Sequence, residues 1–400
     1  MARDSMSFRG TSGPIASVEK LASALRLPES LLLEVSERPI WRNYKPASAP
    51  NRRGGRPRLV FSPSRDVRLI QNRIVRTFFK NPKVINWLPF IYGGIHKDAL
   101  KSGDSRDHVA CARRHCGAKS ILKLDIEDFF GNVSFDLVED VFVGLLGWSK
   151  DAGSLAAKLC TRDGVLPQGG ITSSYLALLC LHDIEPKLVR QLSYKKLTYT
   201  RYVDDITISS GSFTQEFSGP MRMVEQQLAS KGLGINSAKV ESLTVGLEAM
   251  SVHGLNVAYR DPVLPKSEVK RIRSVCRQTI LDAREVGRRS INYRRRYNRA
   301  MGLVNKLSRV NSSSHKKLVQ SLRLVSPLPS QADFEYATKI AYDMRDDYDK
   351  KKLGYWYWRR FNRLMARLTL IGVDNPGWAG NLRKYMKSHF LPGFKDDKDK

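Results

Sequence analysis

The chain has 400 residues, 42% of them apolar and 27% charged, with 68 Lys and Arg against 39 Asp and Glu for a net charge of +29. This length and composition fit two or three globular domains and exclude a disordered chain. A positive excess this large self-repels unless an anionic partner neutralises it, and nucleic acid is the first candidate. No apolar run approaches the ~20 residues of a membrane-spanning helix, and Met1–Lys20 lacks the apolar core of a signal peptide. A membrane partner is therefore not expected. The five cysteines are odd in number and unevenly spaced, which implies no disulfide framework and fits a reducing cytoplasm. His108, Cys111, His115 and Cys116 crowd together, but their spacing matches no common structural zinc pattern.

In chain order, Ser17 to Glu37 reads as helical, with Leu21, Leu25, Leu32 and Val35 on one face and Pro28 dividing it into two pieces. Two short extended segments around Gly54-Gly55 predict a β-hairpin with a basic tip that carries Arg56 and Arg58. Arg65 to Lys80 follows as a helix, with Ile70, Ile74 and Phe78 at i, i+4 and i+8. Ile121–Phe130 is predicted as a strand, and Ser134 can cap the helix after it. Leu166–Ser174 reads as a loop and Tyr175–Leu192 as one apolar helix. Leu197–Ser209 predicts a hairpin with an Asp pair near its bend, Met221–Lys231 a helix stopped at Gly232, and Ile235–Leu243 a strand carrying Lys239. This order gives a βαββαβ-like layout, in which helices cover one face of an antiparallel sheet. Between Lys266 and Arg299 the composition shifts to 12 Lys and Arg against three acids, on a helical pattern whose apolar minority is Ile272, Val275, Ile280 and Val286. Phe394–Lys400 reads as a frayed tail.

The informative residues are Tyr202-Val203-Asp204-Asp205, flanked on both sides by β-branched and aromatic residues. Two carboxylates placed mid-strand are costly to bury unless a positive group sits against them. Asp125 stands in a similar apolar setting, Ser120 to Phe130. Hard cations such as Mg²⁺ take few carboxylates together with substrate phosphate oxygens, so three acids on two neighbouring strands suit phosphoryl transfer to a nucleic acid.

Several ordered motifs carry a resemblance. Leu124-Asp-Ile-Glu-Asp-Phe-Phe130, Leu166-Pro-Gln-Gly-Gly-Ile-Thr-Ser173, Tyr202-Val-Asp-Asp205 and the basic segment around Lys239 occur in the order found in bacterial reverse transcriptases of the retron and defence-associated type. Cys111-Ala-Arg-Arg-His115 resembles their Asn-Ala-x-x-His element, with Cys111 in place of Asn. Val252-His-Gly-Leu-Asn-Val257 resembles their Val-Thr-Gly element, with His253 in place of Thr.

The resemblance implies an α+β right-hand polymerase with an RRM-like palm. It places an N-terminal helical extension at 1–39, fingers at 40–120, the palm at 121–265, and a basic helical thumb with a C-terminal extension at 266–400. The implied activity is RNA-directed DNA synthesis on a non-coding RNA template, in antiphage defence, with dNTPs and an RNA/DNA duplex as partners. Other defence-system proteins or further copies of the chain are additional candidates. Asp125 and Asp204 would bridge two Mg²⁺ ions (Mn²⁺ being the alternative), Asp205 would support them, and Ile126 would lend its backbone carbonyl. Phe130 would exclude a 2′-hydroxyl, and its bulk is the main argument for a DNA product. Gln168 and Gly169 would lie against the incoming base, Arg56 and Arg58 on the triphosphate, and Lys239 at the leaving pyrophosphate. His253 and Asn256, with Arg288, Arg289, Arg294, Arg295 and Arg296, are the candidate nucleic-acid contacts. Tyr355 to Arg360 forms a second aromatic-basic cluster, divided between packing and RNA contact. The segment after the palm shows no spaced acid set of the RNase H kind, so template removal is expected to need another enzyme. Two alternatives are a catalytically idle maturase-like RNA-binding protein and an RNA-dependent RNA polymerase. The intact acids argue against the first, and Phe130 with Tyr-Val-Asp-Asp against the second.

Overall fold

The computed structural model describes residues 6–48, 59–100, 103–213 and 215–393, and the chain forms two compact units, Met1–Val263 and Leu264–Lys400. The expected hairpin tip with Gly54-Gly55, Arg56 and Arg58, and the tail Phe394–Lys400, lie outside the described residues.

In the first unit the N-terminal helical stretch divides as its proline requires. Ser17 caps Val18–Leu25 by accepting from the Lys20 N–H at 3.2 Å, and Glu29–Glu37 starts directly after Pro28. Leu21, Leu25, Leu32 and Val35 are all fully buried. Strands β1 (Tyr44–Ser48) and β2 (Leu59–Pro63) pair antiparallel on either side of the undescribed residues. The next helix, Arg65–Ile74, is capped by Ser64 and continues into one π turn, Val75–Phe79, instead of running evenly to Lys80. The wider turn buries Val75, Phe78 and Phe79 together.

The central sheet is built from β3 (Ile91–Tyr92), β4 (Ser120–Asp125), β5 (Thr198–Tyr202), β6 (Asp205–Ser210) and β7 (Glu241–Thr244), in the spatial order β3-β5-β6-β4-β7. Its pairings are antiparallel except for β3 with β5. Leu122, Leu124, Ile206 and Ile208 share one core with Leu176, Leu179, Leu188, Leu192, Val224 and Leu228 from the covering helices. A small hairpin, β8 (Ser251–Val252) with β9 (Leu255–Asn256), follows β7.

Three sequence expectations are corrected here. The predicted helix Tyr175–Leu192 is two helices, Ser173–Leu179 and Glu185–Tyr194, because Pro186 opens the second and cannot continue the first. The predicted strand Ile235–Leu243 is mostly a turn: the Asn236 N–H bonds the Asp125 carbonyl at 2.8 Å, Ser237–Lys239 forms a 3₁₀ turn, and β7 begins only at Glu241. The short parallel strand β3 had no counterpart in the expected layout.

In the second unit, Lys266–Asp282, Ile291–Arg309 and Ser314–Leu324 pack around Ile272, Cys276, Ala300, Val304, Leu307 and Leu322. Gln331–Lys351, Tyr355–Ile371 and Pro376–His389 pack around Met344, Tyr357, Phe361, Leu364 and Leu368. Val286, expected among the apolar minority, is exposed in the π turn Ala283–Gly287.

Candidate active site

Three carboxylates meet at one end of the central sheet. Tyr202 and Asp205 are the last paired residues of β5 and β6, so Val203 and Asp204 alone make the turn. Val203 takes φ +60°, a left-handed conformation uncommon for a β-branched residue. It is held there from two sides: its N–H bonds the Tyr92 carbonyl at 3.2 Å, and its carbonyl accepts from Arg201 Nη1 at 3.0 Å. Asp125, the last residue of β4, lies directly opposite Asp205, and the Ile126 N–H bonds the Asp204 carbonyl at 3.0 Å. The Ile126 side chain is buried in the core.

The charges at this edge are not balanced. The Asp205 carboxyl is pushed up to about 6, first by the surroundings that desolvate it and then by the negative charges of Asp204 and Asp125. Asp125 is buried, and the Lys239 ammonium contacts both of its oxygens, at 2.9 and 2.8 Å. Lys239 reaches it because the 3₁₀ turn stands where a strand was expected. His253 lies on the other side, its Nδ1 3.8 Å from Asp205 Oδ2 and its ring 4.7 Å from that of Tyr202.

The remaining predicted residues are placed as follows. Phe130 is half-buried, edge-on to Phe129, in the short helix Phe129–Asn132 that follows Asp125. The Gln168 carbonyl accepts from the Phe61 N–H at 2.7 Å. Gly169 has φ +106°, and a Cβ there would stand 2.3 Å from the Phe61 carbonyl oxygen. The close approach that this glycine permits is therefore to β2, which ties the loop to the β1–β2 hairpin. Asn256 Oδ1 accepts from the Ala258 N–H at 2.9 Å. His115 bridges Ser209 and Thr200 at 2.7 Å each, and Cys111 lies 3.3 Å from Thr200 Oγ1.

In the second unit, most of the predicted arginines have partners within the chain. Arg288 bonds the Ser326 carbonyl at 2.7 Å, Arg289 pairs with Asp374 at 2.9 Å, Arg294 pairs with Asp333, and Arg296 pairs with Asp282 at 2.8 Å. Arg295 is exposed. In the Tyr355–Arg360 cluster Tyr357 is buried, whereas Tyr355 and Trp356 are exposed.

Two groups were missed by sequence reasoning. Arg201, fully buried, makes a two-pronged pair with buried Glu185 at 2.7 and 2.8 Å and also bonds the carbonyls of Ala177, Leu178 and Val203. It therefore anchors the turn that carries the acids. Its one signal was a charged residue amid the β-branched run Leu197–Ser209. Among the described residues, Asp140, His182 and Asp183 converge closely enough to hold an ion, but Lys231 already bridges them, at 2.7 Å from Asp183 and 3.8 Å from Asp140.

A family model described as "Reverse transcriptase (RNA-dependent DNA polymerase)" matches residues 50–270. The Retron Ec48 reverse transcriptase of Escherichia coli is 36% identical over 91% of this chain and 90% of its own length. The Retron Se72 reverse transcriptase of Salmonella heidelberg (strain 579083-10) is 27% identical over 94% and 96%. Among solved structures, apo telomerase from Candida tropicalis, truncated from its C-terminal domain, aligns over 60% of this chain and 61% of its own at TM-score 0.38 and 12% identity. Candida albicans telomerase in complex with a fragment of telomeric RNA aligns over 91% and 68% at the same TM-score and 10% identity. The chain belongs to the reverse transcriptase family, RNA-dependent DNA polymerases of the right-hand fold, and within that family to the retron type.

Proposed function

We propose that Asp125, Asp204 and Asp205 form the nucleotidyl-transfer centre of this reverse transcriptase, that it copies a non-coding RNA from dNTPs, and that the product serves antiphage defence. Supporting this reading is the register that sets Asp125 against Asp205, with Asp204 tied to the same strand end through Ile126. Reverse transcriptases use divalent metal ions, and the residues fit Mg²⁺ or Mn²⁺. Desolvation, and then the charges of Asp204 and Asp125, raise the Asp205 carboxyl, and the Lys239 ammonium already contacts both oxygens of Asp125 as a cation would. When bound, two such ions would activate the primer 3′-hydroxyl and neutralise charge on the triphosphate.

The other roles belong to the chain. Asp125 and Asp204 would hold the ions, with Asp205 and the Ile126 carbonyl completing the protein's share. Lys239, displaced from Asp125, would protonate the leaving pyrophosphate. Phe130 would lie under the sugar and exclude a 2′-hydroxyl. Gln168 and Gly169 would border the base, and Arg56 and Arg58 would hold the triphosphate. His253, Asn256 and the arginines from Arg288 to Arg296 would meet nucleic acid, Arg295 being the freest of them to do so. The 27 to 36% identity with retron reverse transcriptases supports the RNA template, and the defence role rests on the family resemblance.

Asp204→Asn tests the centre. It is expected to lower dNTP incorporation on an RNA template by about 10³-fold or more and to abolish phage protection in cells. Undiminished synthesis by this variant rejects the assignment.

A further inference from the structure

Cys111 and His253 stand 142 positions apart in sequence and touch in the fold, His253 Nε2 lying 3.3 Å from Cys111 Sγ. They are the two residues at which this chain departs from the motifs it otherwise resembles. The backbone holds His253 in place. Val252 and Leu255 pair across the β8–β9 hairpin, so His253 and Gly254 form its two-residue turn, with φ +49° and +74°. The turn buries the imidazole to 12% exposure, against the Tyr202 ring on one side and Cys111 on another, and directs Nδ1 toward Asp205 Oδ2 at 3.8 Å.

Behind Cys111 the polar contacts continue to Thr200, then His115, then Ser209, at 3.3, 2.7 and 2.7 Å. Thr200 and Ser209 belong to β5 and β6, the strands whose turn carries the acids. The row is thus anchored in the same rigid sheet that it serves. The Asp205 carboxylate facing Nδ1 favours the tautomer with its proton there. Burial keeps the Cys111 thiol protonated, and its Sγ contacts both His253 Nε2 and Thr200 Oγ1.

We propose that His253, held by Cys111, is a positioning residue for Asp205: the imidazole fixes the orientation of that carboxylate for metal binding, and the two residues act as a unit. This rests on the reading of Asp125, Asp204 and Asp205 as metal ligands. Groups that orient a ligand from behind typically contribute 10- to 100-fold to metal affinity, whereas a residue that only fills space would leave affinity unchanged once the protein is folded.

The test is Mn²⁺ binding to the full chain without nucleic acid, followed by electron paramagnetic resonance, with Mg²⁺ activation curves for dNTP incorporation in parallel. His253→Ala is expected to weaken Mn²⁺ binding about tenfold and raise the half-activating Mg²⁺ concentration in step. His253→Asn retains an N–H near the Nδ1 position and tolerates the positive φ, so it should recover most of that loss and stays informative if the alanine variant fails to fold. Cys111→Ala is expected to weaken binding about threefold alone and not at all in the His253→Ala background. Mn²⁺ affinity unchanged in folded His253→Ala, or additive effects of the two alanines, overturns the proposal while leaving the acids in their role. Mn²⁺ binding unchanged in Asp204→Asn overturns the metal reading itself, and the role of His253 with it.

Discussion

Asp125 is buried at a strand end, and the Lys239 ammonium is the cation paired with it in the free chain. The same contact sets up a competition, because a metal ion and the ammonium want the same two oxygens. Lys239→Ala is therefore expected to tighten Mn²⁺ binding in the absence of nucleotide while slowing dNTP incorporation by about 10²-fold, the usual contribution of a proton donor. A loss of metal affinity in this variant would mean that Lys239 organises the acids and does not compete for them. Phe130 is tested by its size. Phe130→Ala should lower the preference for dNTP over rNTP by about 10- to 100-fold with the rate on dNTP little changed, measured by incorporation of each nucleotide on one template. Selectivity that survives the truncation assigns the sugar gate to another side chain.

Among elements, the β5–β6 hairpin depends on a contact invisible in its own sequence. Arg201 is fully buried and has its guanidinium shared between Glu185 and three backbone carbonyls, one of them that of Val203 in the strained turn. Arg201→Met leaves the buried Glu185 carboxylate with the Tyr199 hydroxyl but without its cation, and is expected to destabilise the fold by about 3–5 kcal/mol in urea denaturation. Adding Glu185→Gln should recover part of that loss, because the second substitution removes the orphaned charge.

This contrast shows what the sequence could reveal. The helix faces of Leu21, Leu25, Leu32 and Val35, the cap Ser134, and the hairpin carrying the Asp pair were readable because each follows from residues within a few positions of one another. Asp125 was readable from the apolar run around it. Neither the partner of Arg201 nor that of Cys111 was, since both are set by packing between distant segments. The turn that brings Lys239 to Asp125 was missed for a related reason: a basic residue in an extended run reads as strand, and only the bond from Asn236 to the end of β4 shows where the strand gives way.

At the scale of the whole molecule, the +29 charge is what remains after every acid is counted, so the pairing of Arg289, Arg294 and Arg296 with acids of their own unit leaves that excess undiminished. Asp333 is the junction of that unit: its buried carboxylate pairs with Arg294 and Arg367 and closes a capping box with Ser330. Burial alone would raise the Asp333 carboxyl, but the hydrogen bonds from Arg294, Ser330 and Arg367 outweigh it and hold the group well below the usual range. A depressed carboxylate contributes stability that is full above its unfolded value, near pH 4, and is lost as pH falls further. Acid melting should therefore steepen below about pH 4 in the unaltered chain and flatten in Asp333→Asn. At pH 7, Asp333→Ala should cost about 3 kcal/mol by leaving two guanidinium groups half-buried without their partner. An acid limb identical in the two chains would move the junction elsewhere.

The central claim is that the chemistry of this reverse transcriptase gathers at Asp125, Asp204 and Asp205, and its most direct test is a crystal of the full chain with primer, RNA template, a non-hydrolysable deoxynucleotide and Mn²⁺. Two anomalous-scattering peaks at the Asp125 and Asp204 carboxylates are expected, with Lys239 turned away from Asp125. Peaks confined to the cluster of Asp140, His182 and Asp183, with Lys239 still bound to Asp125 beneath an ordered nucleotide, would contradict that claim.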